Sequence, residues 1–285
     1  MFTTRPGPWL LVASVILLLV STQAVMAQCG GTLNLRSGVA YAGPNVGWTD
    51  WRFWDGEDNK TYAFGLTGKV ADNWDGAVTF QAAGTEGEDP IGGVVRRSDL
   101  QLLALDAGWQ VRDTNWKIVL NPGCEFVTDD ALGTNTETGA SADWGDMIGT
   151  FGVVCERQYG SWTWIINPKL AGWKDDVVAT NYQTVEGFGT VIGIGVGLRK
   201  QMDDRLVLMA DVTPIISGDN SLDMDTNEVE RTLVWGVGAT YLLLPDSNTW
   251  VTVFGSNAFG TTPATSLLAT PDNSVCFGVR AASTF

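Results

Sequence analysis

Three stretches of the chain alternate between apolar residues and small or polar ones: residues 62–70, 103–111 and 188–198. A period of two places the apolar side chains on one face of a β-strand and the others on the opposite face. Soluble β-sandwiches more often have shorter strands at closer spacing. Runs of about ten alternating residues are typical of strands that cross an outer membrane.

The links between such strands come in two alternating sizes. Short polar links lie at 72–76, 112–115, 158–161, 201–204 and 245–248, and long links lie at 43–59, 85–97, 127–145, 174–187, 217–230 and 257–273. Six long and five short links join twelve strands. The pattern predicts an all-β fold, a closed antiparallel transmembrane β-barrel of about 12 strands with short periplasmic turns and long extracellular loops.

An internal repeat supports this count. WKIVLNP, WTWIINP and LMADVTP end at Pro122, Pro168 and Pro214, and these prolines are evenly spaced along the chain. Because proline cannot donate to a sheet ladder, we expect each at a bulge or at the end of regular pairing, near the long loops.

The amino terminus predicts export. Arg5 precedes an apolar run from Trp9 to Val20, and small residues at Val25 and Ala27 form a cleavage site. The run is too short to span a membrane and fits a secretory signal peptide at residues 1–27. Residues 28–285 are then one barrel domain.

Composition excludes several classes of function. The 285 residues include no His, and the net charge is −15. Without imidazole there is no Ser-His-Asp triad, no Cys-His pair and no His-ligated zinc, so we expect no enzyme and no cofactor. The negative charge argues against nucleic acid. Asp223, Asp225 and Asn227 resemble the start of a calcium loop but lack its Gly and Glu, so we expect no metal site there.

Tryptophans concentrate beside the short turns. This placement predicts an interfacial girdle on the barrel, made of Trp74, Trp109, Trp116, Trp162 and Trp250.

The last twelve residues alternate from Val275 to a terminal Phe285. This closing strand resembles those of the bacterial outer-membrane β-barrel proteins. The resemblance implies a location in the outer membrane, contact with its lipid and lipopolysaccharide, and recognition of Phe285 by the barrel-insertion machinery. No subfamily matches, and the phospholipases and proteases of this family use a His that is absent here.

The function expected from these features is a passive channel for small polar solutes. One alternative is a barrel closed by side chains or loops, with a structural or surface-binding role. A second is a secreted soluble β-protein that binds glycans through Trp48, Trp51, Phe53 and Trp54.

Strand parity assigns ten charged side chains to the lumen. Those expected there are the basic Arg36, Lys69, Lys117, Lys169, Arg199 and Arg280 and the acidic Asp106, Glu125, Glu156 and Asp211. Lys117 and Glu156 are expected to pair. Arg36, Lys69 and Arg280 fall on three adjacent strands that carry no expected carboxylate, and this predicts a basic patch that attracts anionic solutes.

Two further expectations concern the loops and the cysteines. The six long links hold 20 acidic and 4 basic residues, which predicts divalent cations bridging them to lipopolysaccharide. If Cys124 and Cys155 lie far apart along neighbouring strands, they are out of disulfide reach. With Cys29 and Cys276 at opposite ends of their strands, all four thiols should be free.

Overall fold

The computed structural model describes residues 46–54, 59–88, 95–113, 115–127, 147–172, 188–223, 226, 228–243 and 249–284. The predicted signal peptide, Cys29, Arg36 and Phe285 lie outside these residues. No helix in the described ranges is long and apolar enough to cross a membrane.

Extended strands make up most of the described chain. Their bounds are β1 Val46–Trp54, β2 Asn59–Ala71, β3 Trp74–Glu88, β4 Val95–Asp113, β5 Lys117–Val127, β6 Met147–Tyr159, β7 Trp162–Gly172, β8 Thr190–Gln201, β9 Leu206–Thr213, β10 Ile215–Ser217, β11 Ser221–Asp223, β12 Glu228–Glu230, β13 Val234–Leu242, β14 Thr249–Ser256 and β15 Cys276–Thr284. Two single-turn 3-10 helices, Thr265–Leu267 and Pro271–Asn273, lie between β14 and β15.

The strands form one closed antiparallel barrel. From β1 to β8 and from β13 to β15 each strand pairs with the next in sequence. β15 pairs with β1, β8 pairs with both β9 and β10, and β9 pairs with β13, while β11 and β12 form a separate hairpin. Because β9 and β10 are one strand interrupted at Pro214, the barrel has twelve strands, as predicted. We call the two rims the turn end, with the short connections, and the loop end.

The first strand differs from the prediction. Residues 43–59 were expected to be a long loop, but 46–54 form β1, which pairs with β2 and β15 along its whole length. The predicted first strand around Arg36 lies outside the described residues. Asp50 and Arg52 therefore belong to the barrel wall and not to the acidic loops.

Burial alternates along the wall, as the period-two pattern requires. In β8, Val191 and Arg199 are buried in the lumen, whereas Ile192 and Ile194 face outward. Phe64 and Phe277 are among the most exposed outward side chains, at 59% and 69%. An apolar outer surface around a polar interior fits a barrel surrounded by lipid.

The repeated prolines interrupt pairing on one side of their strands. The β4–β5 register runs from Asp106 opposite Gly123 to Trp109 opposite Leu120, with no pairs between them around Pro122. The Asn121 side chain donates a hydrogen bond into this gap, from Nδ2 to the Ala107 carbonyl at 3.2 Å. The prediction of interrupted pairing is confirmed, but at Pro122 the interruption lies inside the strand and not near the loop end.

The cysteines follow the predicted register to within one residue. Cys124 lies opposite Gly149, and Cys155 lies opposite Ile118, so the two sulfurs are separated along the strands. Cys124, Cys155 and Cys276 are free thiols, as predicted.

Candidate functional site: the lumen and its inner loop

The connection between β14 and β15 folds into the barrel. We call residues 257–275 the inner loop; most of them up to Thr270 are buried. Residues 257–273 were predicted to form a long extracellular loop; the connection is long, as predicted, but it lies inside the barrel and not outside it. In the ring of twelve strands β5 is opposite β14, and Glu125 on β5 accepts a hydrogen bond from the inner-loop Ala264 backbone N at 2.6 Å. The loop therefore crosses the whole lumen.

Gln81 on β3 is the main polar anchor of the loop. Its Oε1 accepts hydrogen bonds from the backbone N of Thr261 at 2.8 Å and from the Thr265 hydroxyl at 3.1 Å. Gln81 is fully buried. A buried amide oxygen that accepts several donors satisfies loop groups that have no strand partner.

Two basic wall residues hold other parts of the loop. Arg52 on β1 donates to the Ala258 carbonyl at 2.9 Å and forms a salt bridge with Asp50, also at 2.9 Å. On the other side of the barrel, Lys169 on β7 donates from Nζ to the Ser266 hydroxyl at 2.8 Å. The inner loop is thus tied to several sectors of the wall.

Apolar side chains fill the lumen around the loop at the loop end. Phe259, Leu267 and Leu268 of the inner loop are at most 1% exposed. They form one core with inward residues of the wall, which are Leu102, Ile148, Ala171, Val191, Ile215, Val234 and Cys276. This end of the barrel is packed like the interior of a soluble domain.

The β11–β12 hairpin adds polar contacts to the inner loop. Asn220, just before β11, donates from Nδ2 to the Leu267 carbonyl at 3.0 Å and accepts from the Ala269 backbone N at 2.8 Å. The Ser221 hydroxyl donates to the Thr270 carbonyl at 3.1 Å. These contacts join the inner loop to the preceding long connection.

A glycine in β8 makes room for the loop. A Cβ at Gly193 would lie 2.8 Å from the Leu267 side chain and 2.8 Å from the Thr213 side chain. The absence of a side chain at Gly193 therefore lets Leu267 and Thr213 approach the backbone of β8.

The middle and turn end of the lumen carry charged side chains. Glu156 forms a salt bridge with Arg199, with 2.8 Å between Oε1 and Nη2. Lys117 lies opposite Glu156 in the register, as predicted, although the salt bridge of Glu156 goes to Arg199. Asp106 and Asp211, also predicted to face inward, are buried in the same region.

The predicted basic patch has carboxylates beside it. Arg280 donates to Asp50, with Nη2 at 2.8 Å from Oδ2, because β1 places Asp50 directly opposite. Lys69 pairs with Asp72 of the β2–β3 turn at 2.8 Å, and this hydrogen bond holds the pKa of the Asp72 carboxyl below its usual value. The expectation that these adjacent strands carry no carboxylate is wrong for Arg280, because β1 carries Asp50, whereas Lys69 pairs with a carboxylate of the adjoining turn. Arg36 lies outside the described residues.

Four of the five predicted girdle tryptophans lie at the turn end, away from the lumen interior. Trp74 and Trp109 stack with ring centroids 5.6 Å apart, Trp162 is also exposed, and Trp116 is half-buried beside β5. Trp250 is different, because its strand parity turns it inward and leaves it 8% exposed. Its place near a short turn predicted its height in the barrel but not its face.

The aromatic residues proposed for glycan binding lie on β1. Trp51 and Phe53 face outward, and Trp48 has the opposite parity, with the Arg280 guanidinium 5.7 Å from its ring. Side chains divided between the two faces of a barrel wall cannot form one glycan platform. The structure therefore does not bring together the side chains that the alternative of a soluble glycan-binding protein requires.

Sequence reasoning missed Gln81, Asp50 and Arg52. Gln81 is a large polar residue at an inward position of an alternating strand, which could have marked it. The inner loop differs from the other long links by its composition, since Asp272 is its only charged residue. In the described part of the chain no group of acidic or thiol side chains could hold a metal ion.

No protein-family model matches the sequence, and no curated protein matches it. Solved structures do resemble the fold. An outer membrane channel from Pseudomonas putida F1 is 10% identical, with 85% of this chain and 96% of that chain covered and a TM-score of 0.55. A KdgM porin in complex with disordered oligogalacturonate is 7% identical, with coverage of 85% and 99% and a TM-score of 0.51. The fold of this chain is therefore that of the outer-membrane β-barrel proteins.

Proposed function

We propose that this protein is an outer-membrane channel for small polar solutes whose loop end is closed by the inner loop. The observation that carries the proposal is that this loop reaches the opposite wall at Glu125 through noncovalent polar contacts. Hydrogen bonds each contribute about 0.5–1.5 kcal/mol net, so such a loop can be displaced without unfolding the barrel. Passage is then gated by the loop rather than permanently open.

The charged side chains in the lumen favour a channel over a closed barrel with a structural role. Glu156, Arg199, Asp106 and Asp211 line the middle and turn end of the lumen from different strands. Charges buried in dry protein are costly unless they are paired or hydrated. A water-filled chamber open to the turn end accommodates them at lower cost, and it would form the inner half of the pathway.

The test is conductance in planar bilayers. We expect the wild-type protein to be closed most of the time. A variant in which residues 259–269 are replaced by a short Gly/Ser linker should open to a steady conductance. Gln81→Ala combined with Glu125→Ala should give frequent openings, because two of the contacts that hold the loop to the wall are lost. Gln158→Ala, at the exposed turn end of β6, is the matched control.

A permanently closed barrel with a structural or surface-binding role is the second candidate. The apolar core around Phe259 and Leu267 favours it, since that core resists displacement of the loop. If the loop-replacement variant folds and still conducts no ions, the channel proposal is wrong and this candidate stands.

Preference for anions remains a separate proposal. Arg280 is paired with Asp50, which reduces its attraction for a passing anion. Gln substitutions at Arg36, Lys69 and Arg280 in the loop-replacement variant test it. A reversal potential that moves toward cations supports an anion pathway, and an unchanged potential removes these residues from the selectivity site.

Bridging of the acidic loops to lipopolysaccharide by divalent cations likewise remains a proposal.

A further inference from the structure

A cluster of aromatic and basic side chains lies on the outer face at the turn end of β5 to β8. We call it the turn-end cluster; it consists of Trp116, Arg157, Tyr159, Trp162, Trp164 and Lys200. The Arg157 guanidinium lies 4.4 Å from the Tyr159 ring centroid and 5.5 Å from that of Trp116. The Lys200 ammonium lies 4.8 Å from the Trp162 ring. Both cations are thus held against aromatic faces.

Strand register fixes the arrangement. Arg157 lies opposite Trp164, and Tyr159 lies opposite Trp162, which in turn lies opposite Lys200. The chain neighbours Glu156 and Arg199 point into the lumen, where they pair with each other. Arg157 and Lys200 therefore face away from the lumen, in the same band as the exposed rings.

Neither cation forms an ion pair with a carboxylate within the described ranges. Glu156 is committed to Arg199 inside the barrel. In the turn after β8, Asp203 accepts hydrogen bonds from the backbone N of Arg205 and Leu206, and Asp204 is exposed. Two outward cations in one sector of the rim are notable in a chain of net charge −15.

We propose that the turn-end cluster binds the headgroup phosphates of anionic phospholipids in the leaflet on the turn side. Aromatic rings settle at the headgroup level of a bilayer, and basic side chains near them extend to the lipid phosphates. β6 and β8 are two strands apart, and the two residues are offset by two positions in the register, so they are separated by about 12 Å along the sheet. Each then holds its own headgroup. The proposal rests on the membrane location in the proposed function but not on conduction.

The same rim offers an internal comparison. Trp74 and Trp109 on β3 and β4 stack on each other, and within the described chain no basic side chain lies over either ring. This part of the rim, around Trp74 and Trp109, should bind neutral and anionic lipids equally. The selectivity should therefore come from one sector of the barrel.

Native mass spectrometry of the full chain, released from micelles with equal phosphatidylglycerol and phosphatidylcholine, tests the proposal. We expect the wild type to retain an excess of phosphatidylglycerol. Arg157→Gln and Lys200→Gln should each lower the ratio by about fivefold, as expected for one basic group at a membrane surface. Arg205→Gln, which removes the same charge from the exposed turn, should leave the ratio unchanged. Heat-dependent gel mobility checks that each variant is folded.

Equal retention of the two lipids by the wild type would overturn the proposal, and so would an Arg205→Gln effect as large as those in the cluster. Soluble glycerol phosphate should not displace the lipid; displacement would mean a site for free phosphate instead. The readout is a lipid ratio, so it is independent of whether the barrel conducts.

Discussion

At the scale of single residues, Gln81 holds the inner loop from a fully buried position. In Gln81→Ala the Thr261 backbone N and the Thr265 hydroxyl lose an acceptor at 2.8 and 3.1 Å. Buried donors without an acceptor cost about 1–3 kcal/mol each, so we expect a destabilisation of about that size. The midpoint of denaturant unfolding in detergent measures it. Gln158→Ala should change the midpoint little, and an equal effect there would remove the special role of Gln81.

Gly193 tests the fit between loop and wall. In Gly193→Ala the new methyl group would lie 2.8 Å from Leu267, and overpacking of this kind costs about 1–3 kcal/mol. Leu267→Ala in the same chain should recover part of the loss, and unfolding free energies of the four proteins give the coupling. Gly152→Ala is the control, because its nearest contact would be 3.5 Å. Additive effects at Gly193 and Leu267 would contradict the contact.

At the scale of strands, the Asn-Pro pair replaces one ladder bond by a side-chain bond. Asn121→Ala leaves the Ala107 carbonyl without the Asn121 donor, at a cost of about 1–3 kcal/mol. The double variant Asn121→Ala, Pro122→Ala should regain stability, since the alanine in place of proline supplies the backbone N–H that proline lacks. Denaturant midpoints compare the three proteins. Failure of the second substitution to rescue the first would show that the Asn121 bond does not substitute for the ladder.

The strands were largely predictable, because lipid outside and polar groups inside impose a period of two on each of them. The same logic gave the register near Cys124 and Cys155 to within one residue. It failed for β1, where Trp51 and Phe53 among acidic neighbours looked like a loop. It also failed for the inner loop, whose fold depends on contacts to Gln81 and Glu125 on distant strands. Contacts between distant parts of the chain produce no periodic pattern in the local sequence.

At the scale of the whole molecule, closure by β1 and β15 leaves no free strand edge in the barrel. We therefore expect the protein to resist denaturation in detergent and to migrate differently on a gel before and after boiling. Gly278→Ala, whose Cβ would meet the Phe254 ring near this seam, should lower the temperature needed for the shift. Gly149→Ala, with nothing within 4 Å, should not. Identical mobility with and without heat would contradict a closed barrel.

The apolar core around the inner loop has a consequence for how stability varies with temperature. When a barrel with a hydrated lumen unfolds in detergent, its outer apolar surface passes from one apolar medium to another. Here Phe259, Leu267 and Leu268 would pass from a dry core into water. Exposure of apolar surface to water raises the heat capacity, which bends the curve of free energy against temperature into a dome. The closed state should therefore weaken on cooling as well as on heating, so that the loop is released most readily at the two extremes.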